Sequence, residues 1–97
     1  MNELIHILEA APLEDRWVRL RFSDGVVKDV DLAPILESGG VFTEIRDDRS
    51  VFEQLYIDPE THTVAWPGDV DLDAAVLYGK FEPASGEKLT RRTVQPA

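Results

Sequence analysis

The stretch WVRLRFSDGVVKDVD, residues 17–31, predicts a β-hairpin around which the rest of the chain is arranged. Val18, Leu20 and Phe22 alternate with more polar residues, which is the period-two pattern of a strand with one face in a core. A three-residue loop that ends at Gly25, with the glycine in the left-handed conformation, keeps the apolar residues of both strands on one face. The alternation therefore predicts the hairpin and its pairing together.

Burial of apolar side chains decides the register of this hairpin. The predicted pairs are Phe22 with Val26, Leu20 with Lys28, Arg19 with Asp29 and Val18 with Val30. An opposite-charge pair across strands contributes only about 0.2 to 1 kcal/mol, so the charges do not set the register. Lys28 then lies on the core side, which favours an edge strand where its aliphatic stem is covered and its ammonium group reaches water.

The composition is that of a soluble globular protein, with 43% hydrophobic and 30% charged residues. A membrane span needs a run of about 20 apolar residues, and the sequence has no such run. The opening segment MNELIHILEA lacks a basic stretch ahead of an apolar one, so we expect no secretory signal. The absence of cysteine excludes disulfides and thiol chemistry. We expect a cytoplasmic protein with no membrane association.

The negative charge is unevenly distributed along the chain. The net charge of −9 argues against binding of nucleic acid or anionic membranes and favours a basic partner. Residues 1–79 carry six basic and seventeen acidic side chains, whereas residues 80–97 carry four basic and two acidic ones. Because the second segment also has few large apolar residues, we expect one α+β domain over 1–79 and a flexible C-terminal tail over 80–97.

The remaining elements complete a small α+β fold. The predicted elements are a strand within 3–10, a helical turn after Asp31, turns over 41–52 with Asp48 as a cap, strands over 55–57 and 63–66, and a helix over 72–78 capped by Asp71 and ended by Gly79. The expected architecture is an antiparallel meander of about five strands with two or three short helices packed on the sheet. Trp66 is expected in the core beneath the last helix.

Three separated motifs resemble the bacterial domain of unknown function 2442 family. They are FSDG followed by VDL (22–25 and 30–32), a central GVF…F stretch (40–52) and WPGDVDLDAAVLY (66–78). The similarity covers residues 4–79 and departs from the family pattern at 68–71 and at His62. The resemblance implies a small α+β fold and no established catalytic activity. It also implies an antitoxin-like association with a small protein encoded by an adjacent gene.

Acidic residues near the last helix invite a metal-binding interpretation. Asp69, Asp71 and Asp73 resemble the opening of a calcium loop, which needs glycine at its sixth position and glutamate at its twelfth. Those positions hold Ala74 and Lys80, so we expect helix capping instead.

Catalytic constellations are not visible in the sequence. His6 and His62 each lack a His or Cys neighbour, and we expect His62 to be a surface turn residue. Ser23 beside Asp24 is explained by turn formation, because no base accompanies it. We therefore expect no catalytic residues, no metal site and no cofactor, and we do not expect an enzyme.

Trp17, Arg19 and Arg21 project from one face of a strand and form the candidate partner-binding site. An internal cation–π contact is the alternative explanation. The predicted function is a non-catalytic protein-interaction module, and its more specific form is an antitoxin-like partner of a small basic protein encoded by an adjacent gene. The alternatives are a carboxylate- or metal-dependent enzyme and a self-associating structural domain that forms a homodimer.

The tail has two interpretations. It is either a terminus without function, which we favour, or a segment that becomes ordered on a partner. In the second case its apolar anchors would be Leu89 and Val94, and its charge contacts would be Arg91 and Arg92.

Overall fold

Two antiparallel sheets and four short helices make up the fold of the computed structural model, which describes residues 5–79 and 89–94. The strands are β1 (Ile7–Pro12), β2 (Trp17–Phe22), β3 (Val27–Asp31), β4 (Tyr56–Ile57), β5 (Val64–Trp66), β6 (Val70–Asp71) and β7 (Arg91–Thr93). The helices are α1 (Ala33–Leu36), α2 (Thr43–Asp47), α3 (Arg49–Phe52) and α4 (Ala74–Tyr78). The strand orders are β1-β2-β3-β7 and β4-β5-β6, and the predicted α+β class is confirmed.

The hairpin of β2 and β3 has the predicted register. Its pairs include Val18 with Val30, Arg19 with Asp29 and Leu20 with Lys28. The loop closes through a 2.9 Å hydrogen bond from the Phe22 amide to the Val26 carbonyl, and Gly25 has φ of +89°. The Asp24 carboxylate accepts a hydrogen bond from the Val26 amide at 2.9 Å, which fixes the turn.

Lys28 does not lie on an edge strand, because β7 pairs with the other side of β3. Its ammonium group instead donates to the Tyr78 carbonyl at 2.5 Å and lies 4.1 Å from the centre of the Tyr78 ring. Burial is the main cause that lowers the pKa of Lys28, and the nearby Arg91 charge adds to it. The sequence predicted that the Lys28 ammonium group would be hydrated. In the structure it binds the carbonyl end of α4 instead.

The core lies between the inner face of the first sheet, the helices and β5. The fully buried large side chains are Ile7, Val18, Leu20, Phe22, Val30, Leu32, Leu36, Phe52, Val64, Trp66 and Leu77. Trp66 is in the core as predicted, and its indole N–H donates to the Phe52 carbonyl at 2.9 Å. Its position is therefore set by the end of α3.

The helix caps agree with the prediction in part. Asp48 caps α3 as predicted, and its carboxylate accepts from the Ser50 amide at 2.9 Å. Asp71 is not the cap of α4, because it lies in β6 and pairs with Ala65. Asp73 takes that role and accepts from the Ala75 amide at 2.8 Å. Pairing with β5 extends the chain for two residues past the turn, which shifts the helix start.

The first strand is displaced toward the C-terminus relative to the prediction. β1 ends at Pro12, which pairs with Val18, and residues 3 and 4 lie outside the described part of the chain. A proline is tolerated there because β1 is at the edge of the sheet and no ladder bond is lost.

The prediction of a flexible tail is wrong for residues 89–94. Leu89 is buried in the core, and β7 pairs with β3 through Val30 opposite Arg91 and Asp29 opposite Arg92. Arg91 also donates to the Val76 carbonyl at 2.7 Å at the end of α4. These contacts join residues far apart in sequence, so composition did not reveal them. Residues 80–88 and 95–97, which the same prediction covers, lie outside the described residues.

Truncation of Leu89 tests whether this segment packs on the domain. Leu89→Ala should lower the free energy of unfolding by about 2 kcal/mol, because it removes a buried aliphatic side chain. The melting temperature should fall by roughly 10 °C in a chain of this size. The matched control is Thr90→Ala, since Thr90 is exposed. Equal melting temperatures for the two variants would show that the segment does not contribute to the core.

Candidate functional site

A groove of about 520 Å³ lies on the outer face of the first sheet. Its lining comes from the β1–β2 turn, β2, β3 and β7: Leu13, Glu14, Asp15, Trp17, Arg19, Asp29 and Arg92. We call this surface the outer groove. It combines an aromatic ring, an aliphatic side chain and charges of both signs, which is a composition suited to protein binding.

The outer groove contains two of the three predicted site residues. Trp17 and Arg19 line it, whereas Arg21 lies beside it. Arg21 lines a smaller groove of about 260 Å³ together with Glu9 and Val27, and Arg19 borders both grooves. The arginines are therefore neighbours on one face, as the alternation predicted, but they do not form one binding pocket.

The Asp29 carboxylate is the electrostatic centre of the outer groove. Arg19 donates to it through Nε at 2.8 Å and Nη2 at 3.1 Å, and Arg92 donates through Nη2 at 3.4 Å. The Asp29 side chain is only 6% exposed. The hydrogen bonds from Arg19 lower the pKa of Asp29, outweighing the opposing effect of burial. The predicted pairing of Asp29 with Arg19 was the signal that could have marked it as a site residue.

Arg92 reaches the outer groove from β7. Its guanidinium carbon lies 4.3 Å from the centre of the Trp17 ring, within the range of a cation–π interaction. The alternative explanation for Trp17 was thus correct in kind, although the cation belongs to another strand. Since the contact joins residues 75 positions apart, no local pattern could have predicted it.

Glu14 and Asp15 lie at the groove in the β1–β2 turn, and both are exposed. Arg16 and Arg49 hold this turn. Arg16 donates to the Arg46 carbonyl at 2.6 Å, and Arg49 donates to the Leu13 carbonyl at 2.6 Å and to the Asp15 carbonyl. The two exposed carboxylates are therefore carried by a turn that is fixed to α2 and α3.

Internal contacts involve all the Lys and Arg side chains of the described residues. Three of these side chains bind backbone carbonyls without an ion pair: Arg16, Lys28 and Arg91. The others form ion pairs, which involve only four of the described carboxylates: Glu9, Asp29, Asp47 and Glu53. The charge left for external partners is consequently negative.

The two histidines, which have no His or Cys neighbour in the sequence, lie next to each other in the fold. The rings of His6 and His62 stack with centroids 4.2 Å apart and planes 21° apart. His62 lies in a turn as predicted, but it is partly buried and its φ is +56°. The described residues contain no group of three or more His, Cys, Asp or Glu side chains placed to hold a metal ion.

The helices of the described residues contain at most five residues, and none is long and apolar enough to cross a membrane. The fold is that of a small α+β protein with two antiparallel sheets. The chain matches the model of the family described as "Protein of unknown function (DUF2442)" over residues 7–83, and it belongs to that family. Neither a curated protein nor a solved structure matches the chain.

The Asp29 carboxylate should make stability depend on pH. Because its pKa is lower in the folded chain than in the unfolded chain, its stabilisation is complete above the unfolded pKa of about 3.9 and is lost as the pH falls through the folded pKa. Asp29→Asn should cost about 1 to 2 kcal/mol at pH 7, since Arg19 and Arg92 lose a charged acceptor.

Chemical denaturation at pH 7 and pH 3 measures this effect. The difference between the wild type and Asp29→Asn should shrink at pH 3, because this pH lies below the unfolded pKa of about 3.9 and unfolding then takes up a proton on the Asp29 carboxylate. Glu60→Gln is the control, because Glu60 is exposed in the β4–β5 turn. A difference that stays constant between the two pH values would contradict the role given to the Asp29 charge.

Proposed function

We propose that the protein is a non-catalytic interaction module that binds a small basic protein through the outer groove. The observation that carries this proposal is the charge distribution, since internal contacts engage every described cation, while most of the described carboxylates form no ion pair. A partner with exposed Lys and Arg side chains complements such a surface. In this proposal the protein acts in the cytoplasm as an antitoxin-like partner of a protein encoded by an adjacent gene.

Trp17 is the proposed anchor of the interface. It is partly exposed, it lines the same groove as the acidic turn and Asp29, and it belongs to a residue type that is enriched among binding hot spots. Glu14 and Asp15 would contribute mainly to the rate of association, because exposed charges steer the encounter more than they hold the complex. The rigid attachment of their turn lowers the entropy that binding would otherwise cost.

Pull-down with the adjacent gene product, followed by calorimetry, tests the proposed function. We expect a complex at low salt, and Trp17→Ala should weaken it by about tenfold to a hundredfold. Tyr56→Ala is the matched control, because Tyr56 is an exposed aromatic residue outside the outer groove. The proposal fails if the two wild-type proteins do not bind at low salt.

Charge neutralisation at the turn tests the electrostatic part of the proposal. The double variant Glu14→Gln/Asp15→Asn should slow association by roughly tenfold at low salt and leave dissociation nearly unchanged, because these carboxylates are exposed. Stopped-flow fluorescence measures both rates. The double variant Glu37→Gln/Glu60→Gln removes the same charge outside the groove and is the control. Equal slowing by both variants would show that net charge, and not this turn, steers the partner.

A further inference from the structure

The edge of β3 opposite β2 accepts a short basic strand, and in this chain that strand is its own segment 89–94. The family match ends at residue 83, so β7 lies after the matched region. We propose that β3, the end of α4 and the outer groove form a binding site for a basic extended segment of the partner, which competes with residues 89–94. This inference rests on the proposed function and names the chemistry of the partner's contact. We call the surface the β3 strand site.

Backbone hydrogen bonds define the first part of the β3 strand site. The Asp31 amide donates to the Thr90 carbonyl at 3.0 Å, and the Val94 amide donates to the Val27 carbonyl at 2.8 Å. Pairing thus runs along the whole of β3. Main-chain bonds of this kind accept an extended peptide of any origin, and the side chains then provide the selectivity.

The inner side of the site selects a guanidinium group. Arg91 donates to the Val76 carbonyl at 2.7 Å and to the Leu77 carbonyl at 3.2 Å, at the C-terminal end of α4. Helix ends of this polarity attract cations, and their last carbonyls have no partner within the helix. One arginine of the bound strand therefore satisfies acceptors that would otherwise be left without a donor.

The outer side of the site selects a second basic residue but holds it loosely. Arg92 contacts Asp29 at 3.4 Å and lies over Trp17, yet its side chain is 63% exposed. An arginine of a partner strand can make the same two contacts after Arg92 leaves. The buried Asp29 carboxylate would then keep its second cationic neighbour throughout the exchange.

An apolar pocket completes the site, where Leu89 joins the core cluster. The preferred ligand is therefore an extended segment with an apolar residue followed two and three positions later by arginines, as in residues 89–92. Because the internal strand is tethered, its effective concentration is on the order of millimolar. A free peptide should compete poorly with the intact strand and well with a weakened one.

The test titrates a synthetic peptide of residues 88–95, KLTRRTVQ, into full-length protein while amide chemical shifts of β3 are followed by NMR. The variant Arg91→Ala/Arg92→Ala should bind the peptide at least about tenfold more tightly than the wild type, because its internal strand is weakened. Arg92→Ala alone keeps the Arg91 and Leu89 contacts, and it replaces the double variant in the titration if the double variant does not fold. It should show a smaller gain in the same direction.

Two controls test whether peptide binding at the β3 strand site depends on charge. A peptide with both arginines replaced by glutamine should bind at least about tenfold more weakly, and Asp29→Asn placed in the Arg92→Ala background should weaken the original peptide similarly. The inference is overturned if folded variants bind the peptide no better than the wild type, or if the glutamine peptide binds equally well. Dimers of the wild type formed by exchange of residues 89–94, detected by light scattering, would assign the site to a second copy and overturn the assignment to a partner.

The peptide titration does not use the partner protein, so the two proposals can fail separately. Partner binding without peptide binding would overturn the β3 strand site and leave the proposed function standing. Peptide binding without partner binding would overturn the proposed function.

Discussion

The buried carboxylate of Asp29 is the constraint on which the outer face of the first sheet depends. A carboxylate that is taken out of water is costly unless it is paired and hydrogen-bonded. Arg19 provides the close ion pair with Asp29, and Arg92 adds a second, looser contact. Arg19 belongs to β2 and Arg92 to β7, so the pairing holds strands on both sides of β3 in place. Trp17 then lies under Arg92, and its ring is oriented by the same interaction.

Elsewhere in the described structure, hydrogen bonds from arginine side chains to backbone carbonyls hold neighbouring elements in place. The helices contain four or five residues, which is too short for stability on their own, so tertiary contacts must hold them. Arg16 and Arg49 connect α2 and α3 to the β1–β2 turn, and Arg91 connects the end of α4 to β7. Because these guanidinium groups are used for architecture, the acidic surplus of the chain is not neutralised at the surface.

The sequence predicts those parts of the fold that depend on residues close together in the chain. Alternation of Val18, Leu20 and Phe22 predicted the hairpin and its register, and Asp48 marked a helix start because capping involves the next few residues. The stacking of His6 on His62 and the pairing of β7 with β3 were not predicted, since each joins segments separated by more than fifty residues. Three of the seven residues that line the outer groove could therefore be predicted from the sequence: Trp17, Arg19 and Asp29, the partner of Arg19.

The internal strand and the acidic surface have linked consequences for binding. Exposed carboxylates favour the approach of a basic protein but contribute little once the complex forms, because water screens them. Lasting affinity needs contacts that exclude water, and on the outer face the largely exposed Arg92 side chain already occupies the positions next to Asp29 and Trp17. Replacement of Arg92 by an equivalent residue of a partner exchanges one set of contacts for a similar one. The net gain must then come from surface that β7 leaves uncovered, chiefly the turn beside Trp17 and the part of the Trp17 side chain that Arg92 does not cover.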